Sequence, residues 1–266
     1  MNLLFTVCGR AGSKGVVGKN LREFCGIPLV WYTLSAISLY RERYASEDDF
    51  IQTTLNTDSD DLIRLASGTT EEIFTIYRAR ELAGDRVPKV SVIRDCLDRT
   101  EAACEKMFDM VVDLDITSPL RTVEDIYRAV QKKASRPESD VVFSVAPARR
   151  NPCFNMVREE DGFFIRAMPS NYAARQQAPL FYDMNASIYA YSPRALREKE
   201  AAAFFNDRAD IIIMQDTGIL DIDSEEDYAL MQVVAGYLYD TSPAYGEIRG
   251  RARQFLEGAA VKSRNI

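Results

Sequence analysis

The chain has 266 residues, 47% hydrophobic and 27% charged, with 33 Lys and Arg against 40 Asp and Glu for a formal charge of −7. That balance excludes a disordered chain, which lacks the apolar residues to offset its backbone entropy. It also argues against a nucleic-acid or anionic-membrane partner, since phosphate-rich surfaces need a basic face. There is no histidine, which excludes Ser-His-Asp and Cys-His catalysis and any His-ligated metal.

Leu3 to Val7 reads as a buried strand that runs into a glycine-rich loop. Pro28 opens an apolar helix, PLVWYTLSAISLY, with Pro at a first helical position. Phe50 to Asn56 is strand-like, and Asp58 stands as the cap of the helix DSDDLIRLA. Ile73 to Arg78 is a strand, and Pro88 opens a helix running to about Cys104. A strand from Met110 to Asp115, a helix from Thr122 to Ala134 and a strand from Asp140 to Val145 follow. Strands alternating with helices predict a mostly parallel sheet covered on both faces.

The rhythm breaks over 146–184, which carries Pro147, Pro152, Pro169 and Pro179 and no helical period. Within it, FNMVREEDGFFIRAM reads as two strands joined at Asp161-Gly162. This predicts a β-arm, 146–184, inserted into an α/β domain made of 1–145 and 185–266. The pattern then resumes as a strand from Ala186 to Tyr191 and a helix from Pro193 to Phe205. A strand from Asp210 to Gln215 and a helix from Ser224 to Tyr239 follow, the latter with a capping-box-like Ser224/Asp227. A last helix is expected from Ala244 to Ala260. The opening MNLLFTVCGR reaches Arg10 before any long apolar region, and no apolar run approaches a membrane span. The five cysteines are scattered without a CxxC pair. These features predict a cytoplasmic protein without disulfides or a zinc site.

The loop after the first strand, GRAGSKGVVGKN, spans Gly9 to Asn20. Four glycines let the backbone approach a ligand closely, while Arg10, Lys14 and Lys19 add cations and Ser13 and Asn20 add hydrogen bonds. The spacing is neither a Walker loop nor a dinucleotide fingerprint. It reads as a polyphosphate cradle. Two Asp-x-Asp pairs stand at strand ends, Asp113/Asp115 and Asp221/Asp223. The second follows IIIMQ at a carboxyl end, where open α/β sheets bind ligands. Two such carboxylates suit a hard cation, Mg²⁺ above all. Thr117 to Arg121 and Arg175-Gln176-Gln177 supply further polar groups that could position a substrate.

Together these motifs resemble the CMP-sialic acid synthetase family, the cytidylyltransferases that activate nonulosonic acids. The family's R-x-x-S-K-G-x-x-x-K-N is matched by Arg10 to Asn20. Its later motifs are matched in order by Gly26, Pro28, Leu29 and Thr33, by Asn56-Thr57-Asp58, and by Arg78 to Asp85. Thr117 to Arg121, Arg175, Gln176, Pro179, Asn185, Ile188, Tyr189 and Asp221 to Asp223 complete the series, from residue 3 to about 235. The resemblance implies a three-layer Rossmann-like nucleotidyltransferase fold with an inserted β-arm for dimerisation. It implies that Arg10, Ala11, Gly12, Ser13, Lys14, Lys19, Asn20, Arg78 and Asp85 bind CTP. It places Asp115, Thr117, Ser118, Arg121, Arg175, Gln176 and Asn185 toward the sugar acid, and Asp221 and Asp223 on Mg²⁺. Lys19, Arg10, Asp221 and Asp223 would carry the chemistry, and Arg175 would reach across a homodimer.

Three departures concern the acceptor. Asp115-Ile116 replaces the family's usual Gln-Pro, which suggests a different substrate contact or an extra metal ligand. Ala79 replaces a Pro, and Phe154 stands where some members place an arm Lys, with Arg149 and Arg150 nearby. The expected reaction is attack of the anomeric hydroxyl of a nonulosonic acid on the α-phosphorus of CTP, with release of pyrophosphate. The rival expectations are a nucleotidyltransferase for an eight-carbon sugar acid or a sugar-1-phosphate, and a non-catalytic nucleotide-binding protein of the same fold.

Overall fold

A computed structural model describes residues 1–12, 15–217 and 221–264. Seven strands form the central sheet, in the order β11-β7-β10-β6-β1-β4-β5. The strands are β1 (Asn2–Cys8), β4 (Phe50–Thr57), β5 (Ile73–Tyr77), β6 (Met110–Leu114), β7 (Val141–Pro147), β10 (Tyr182–Tyr191) and β11 (Ala209–Ile213). All run parallel except β10, which is antiparallel to both β6 and β7. The reversal follows from connectivity: after β7 the chain leaves the sheet and returns along the same strand, Tyr182 opposite Pro147. Ala186 at φ 51° lies within a register shift between Met184 and Tyr189, where the returning strand bulges.

Helices α1 (Leu29–Tyr44), α2 (Asp60–Ser67), α4 (Val123–Ser135), α6 (Glu225–Thr241) and α7 (Pro243–Arg264) contribute to one core, and α3 (Lys89–Cys104) and α5 (Pro193–Glu198) to the other. This is the three-layer α/β arrangement expected. Helix α1 buries Leu29 to Ser38 without a break, and it packs against α2, α4 and α7. That placement explains a run too uniformly apolar to show a helical period. Two short ribbons complete the fold: β2 (Glu23–Phe24) with β3 (Ile27–Pro28), and β8 (Val157–Glu160) with β9 (Phe163–Arg166). The second turns at Asp161 and Gly162, both with positive φ, as an Asp-Gly hairpin demands.

Three sequence expectations are corrected. The cap of α2 is Ser59, whose hydroxyl accepts the Leu62 amide, and the Asp58 carboxylate is engaged elsewhere. Pro28 precedes α1 in an extended ribbon and does not open the helix itself. The helix expected over 193–205 stops at Glu198 and gives way to a 3₁₀ turn, Ala201–Ala203. There the carbonyls of Leu196 and Lys199 are taken by Arg94, and the Lys199 ammonium pairs with the buried Asp140. Capping boxes start α4 (Thr122/Asp125) and α6 (Ser224/Asp227).

Candidate active site

The chain leaves β1 for β4 and β5 on one side and reaches β6 on the other. Such a change of direction leaves a crevice at the strands' carboxyl ends. A cavity of about 460 Å³ occupies it. Its described wall carries Arg10, Lys19, Arg78 and Lys89 as cations and Asp85, Asp115, Asp221 and Asp223 as carboxylates.

The glycine loop forms one side. Gly18 takes a left-handed φ of 61° and starts a 3₁₀ turn, Lys19–Leu21. That turn directs the Lys19 amine to the Ile222 carbonyl and within 3.7 Å of the Asp223 carboxylate. Gly15 closes the same junction: a Cβ there would lie 1.9 Å from the Asp223 carbonyl oxygen. The loop and the Asp221-Ile222-Asp223 segment are therefore packed as one unit. Asn20 donates to the Arg10 carbonyl at 3.1 Å, and Arg10 pairs with Asp85. Arg78 is buried and donates to the side-chain and backbone oxygens of Asn56 at 2.7 and 2.9 Å.

The opposite side is built after β6. Lys89 lies 2.7 Å from Asp113 and 2.5 Å from Asp115. Burial alone would lower the Lys89 ammonium, but the two carboxylates outweigh it and hold it well above its ordinary value. Burial pushes Asp115 up, yet Lys89 and the amide and hydroxyl of Thr117 bring it down to about 2. Asp221 is raised, first by burial and then by the charge of Asp115. Asp115 is thus an ionised carboxylate paired with a lysine.

The expected site residues divide by place. Arg10, Lys19, Asn20, Arg78, Asp85, Asp115, Thr117, Asp221 and Asp223 share the cavity. Ser13 and Lys14 lie outside the described residues. Ala11 and Gly12 are exposed and do not line it, and the Ala11 amide donates instead to the Asp58 carboxylate at 2.7 Å. Ser118 and Asn185 face a small neighbouring cavity. Arg121 is fully buried, where burial lowers its guanidinium to about 10. It donates to the backbone oxygens of Asp115 and Ser118, so it braces the segment from within. Arg175 and Gln176 line a separate apolar cavity of about 450 Å³ beside the arm.

Sequence reasoning missed Lys89, and it matched Asn56 and Asp58 to a motif without seeing that they hold Arg78 and the Ala11 amide. One signal was available for Lys89. A cation in the first turn of a helix opposes the helix dipole and needs another partner. For a divalent cation, no group of three or more acidic or cysteine side chains converges among the described residues. Asp221 and Asp223 open onto one cavity with Lys19. Two carboxylates completed by phosphate oxygens and water are the donor set Mg²⁺ takes beside a triphosphate.

The family model for cytidylyltransferases matches residues 5–232. The chain belongs to the cytidylyltransferase family. It is 32% identical over 230 residues to post-translational flagellin modification protein B of Campylobacter coli, covering 86% of this chain and 93% of that one. It is 34% identical over 230 residues to CMP-N,N'-diacetyllegionaminic acid synthase of Campylobacter jejuni, with the same coverage. Among solved structures, CMP:2-keto-3-deoxy-manno-octonic acid synthetase complexed with CTP superposes with a TM-score of 0.61 at 15% identity, over 90% of this chain and all of that one. That last likeness concerns the fold. Family membership makes this cytidylyltransferase an enzyme that draws its nucleotidyl group from CTP, and among the described residues no helix is long and apolar enough to cross a membrane.

Proposed function

We propose that this cytidylyltransferase transfers CMP from CTP to the anomeric hydroxyl of a nonulosonic acid in the cytoplasm, releasing pyrophosphate. The observation that carries the reading is the single cavity onto which Lys19, Arg10, Asp221 and Asp223 all open. Names of relatives support the acceptor class, since CMP-N,N'-diacetyllegionaminic acid synthase aligns over most of both chains.

Nucleotidyl transfer asks for positioning and charge neutralisation more than covalent chemistry. Lys19 and Arg10 bind triphosphate oxygens, and their present carboxylate partners fix where those cations stand. Asn20, Arg78 and Asp85 complete the nucleotide side, and Asp115 and Thr117 face the acceptor. Mg²⁺ held by Asp221 and Asp223 would neutralise charge on the phosphate oxygens. With no histidine in the chain, a carboxylate or a metal-bound hydroxide would take the hydroxyl proton.

We further propose a homodimer formed through the arm, on which Phe163, Phe164 and Leu180 are exposed. Arg175 and Gln176 are carried on that arm, away from the cavity of their own chain. The test is pyrophosphate release from CTP and Mg²⁺ with N-acetylneuraminic, legionaminic, pseudaminic and eight-carbon 3-deoxy acids. Release with one or more nine-carbon acids is expected. Release with the eight-carbon acid alone, or with none, refutes the proposal.

A further inference from the structure

Cys8 ends β1, and its side chain lines the cavity next to the glycine loop. Cys96 lies on α3, one turn beyond the cavity-lining Val92, and is fully buried. The two sulfur atoms are 4.0 Å apart, and no other pair among the described cysteines is in sulfur contact. A disulfide needs the sulfurs to close by about 2 Å from this contact. One thiol is open to solvent through the cavity and the other is sheltered directly behind it. That is the arrangement of an oxidisable thiol with a resolving thiol.

We propose that Cys8 and Cys96 form an oxidative modification site in the cavity wall, closing as a disulfide under mild peroxide. The Cys8 thiolate attacks one peroxide oxygen, the O–O bond breaks, and the sulfur becomes a sulfenic acid while hydroxide leaves and is protonated to water. The Cys96 sulfur then attacks the Cys8 sulfur, the S–O bond breaks, and the oxygen departs as water with the Cys96 proton. Two thiols lose two electrons in all, and one hydrogen peroxide is reduced to two waters. The bond ties the end of β1 to α3 and turns the Cys8 side chain out of the cavity. Turnover falls as the bond forms and returns on reduction. This consequence rests on the function proposed above, whereas formation of the bond does not.

The experiment treats the full chain with a small excess of hydrogen peroxide, blocks free thiols with iodoacetamide, and maps the peptides by mass spectrometry with and without dithiothreitol. The expected result is a cross-linked peptide pair containing Cys8 and Cys96, lost on reduction, with Cys25, Cys104 and Cys153 alkylated throughout. In Cys96→Ala, Cys8 has no resolving partner, so its oxidation proceeds to the sulfinic acid and dithiothreitol no longer reverses it. Should that variant not fold, the wild-type map alone decides. Cys8 alkylated as in the untreated protein, Cys8 recovered as sulfinic acid in the wild type, or a bond to a different cysteine overturns the inference. So does a Cys8–Cys96 bond that leaves pyrophosphate release unchanged. An untreated protein that releases no pyrophosphate fails the proposed function and leaves the peptide map equally readable.

Discussion

Lys89→Met tests whether the lysine between Asp113 and Asp115 is a structural counter-ion of the site. The substitution keeps the apolar stem and deletes the ammonium. Removing one partner of a fully buried ion pair costs about 3–5 kcal/mol, whereas exposed pairs are worth about 0–1. Asp113 is fully buried but the Lys89 side chain is 35% exposed, so water entering the cavity solvates part of what is left. The expected loss falls between these limits, about 2–3 kcal/mol. For a chain of this length that is a fall in Tm of roughly 5–10 °C.

The pH dependence has a definite sign. The folded carboxyl of Asp115 is depressed, so its contribution is fully present above pH 4 and is lost as pH falls toward 2. The gap between wild type and Lys89→Met should therefore be complete at pH 7 and narrow below about pH 4. Urea unfolding at pH 7 and thermal melts taken down the acid range measure both. A gap under about 0.5 kcal/mol at pH 7, or one that widens on acidification, would refute the counter-ion argument. Adding Asp115→Asn to the variant should cost less than the two single losses summed, because each single change already breaks the same pair.

Lys19→Ala and Asp221→Asn should each lower kcat by about 10²–10³-fold with the fold retained by circular dichroism, and near-normal turnover in either removes that residue from the site. Gly15→Ala drives a methyl group into the Asp223 carbonyl. It should therefore weaken CTP binding at least tenfold by calorimetry, and unchanged affinity would show the junction to be loose. Phe164→Ser with Leu180→Ser should shift the proteins' sedimentation from dimer to monomer, whereas an unchanged sedimentation coefficient places the subunit contact elsewhere. Chelation of Mg²⁺ should weaken CTP binding by at least tenfold, and equal affinity with and without the chelator would show that the cavity wall neutralises the triphosphate unaided.

Much of the fold was legible because its signals are local. The strand at Met110, the cap pair at Ser224 and Asp227 and the Asp161-Gly162 turn each depend on a few neighbouring residues. What escaped depends on distant partners. Asp58 precedes a helix and looks like its cap until the Ala11 amide arrives from another part of the chain. The helix after Pro193 has no sequence breaker at Lys199, and its end is set by Arg94 and Asp140 from outside. The Lys19 and Asp223 motifs were visible, but their packing through Gly15 needs the fold. Lys89 is the clearest case. Its position matches no motif and its place in a first helical turn says only that it needs a partner, and the packing of α3 on β1 and β4 is what brings it to two carboxylates.

The charge of the cavity follows from that packing. Arg10, Lys19, Arg78 and Lys89 face Asp85, Asp115, Asp221 and Asp223, so the described wall is balanced before any ligand enters. A triphosphate brings about three to four negative charges at neutral pH. Binding it to a balanced wall alone would leave those charges unneutralised at reduced dielectric, which is costly. Lys89 does little to help, because its charge is already taken by Asp113 and Asp115. Arg10 and Lys19 can turn to phosphate oxygens only by leaving Asp85 and Asp223 less compensated. A divalent cation arriving with the nucleotide would meet both demands, since it would offset the triphosphate and take up Asp223, the carboxylate that Lys19 releases. Asp223 therefore holds Lys19 in place in the empty site, and on the function proposed above it would, with Asp221, receive the metal when the nucleotide enters.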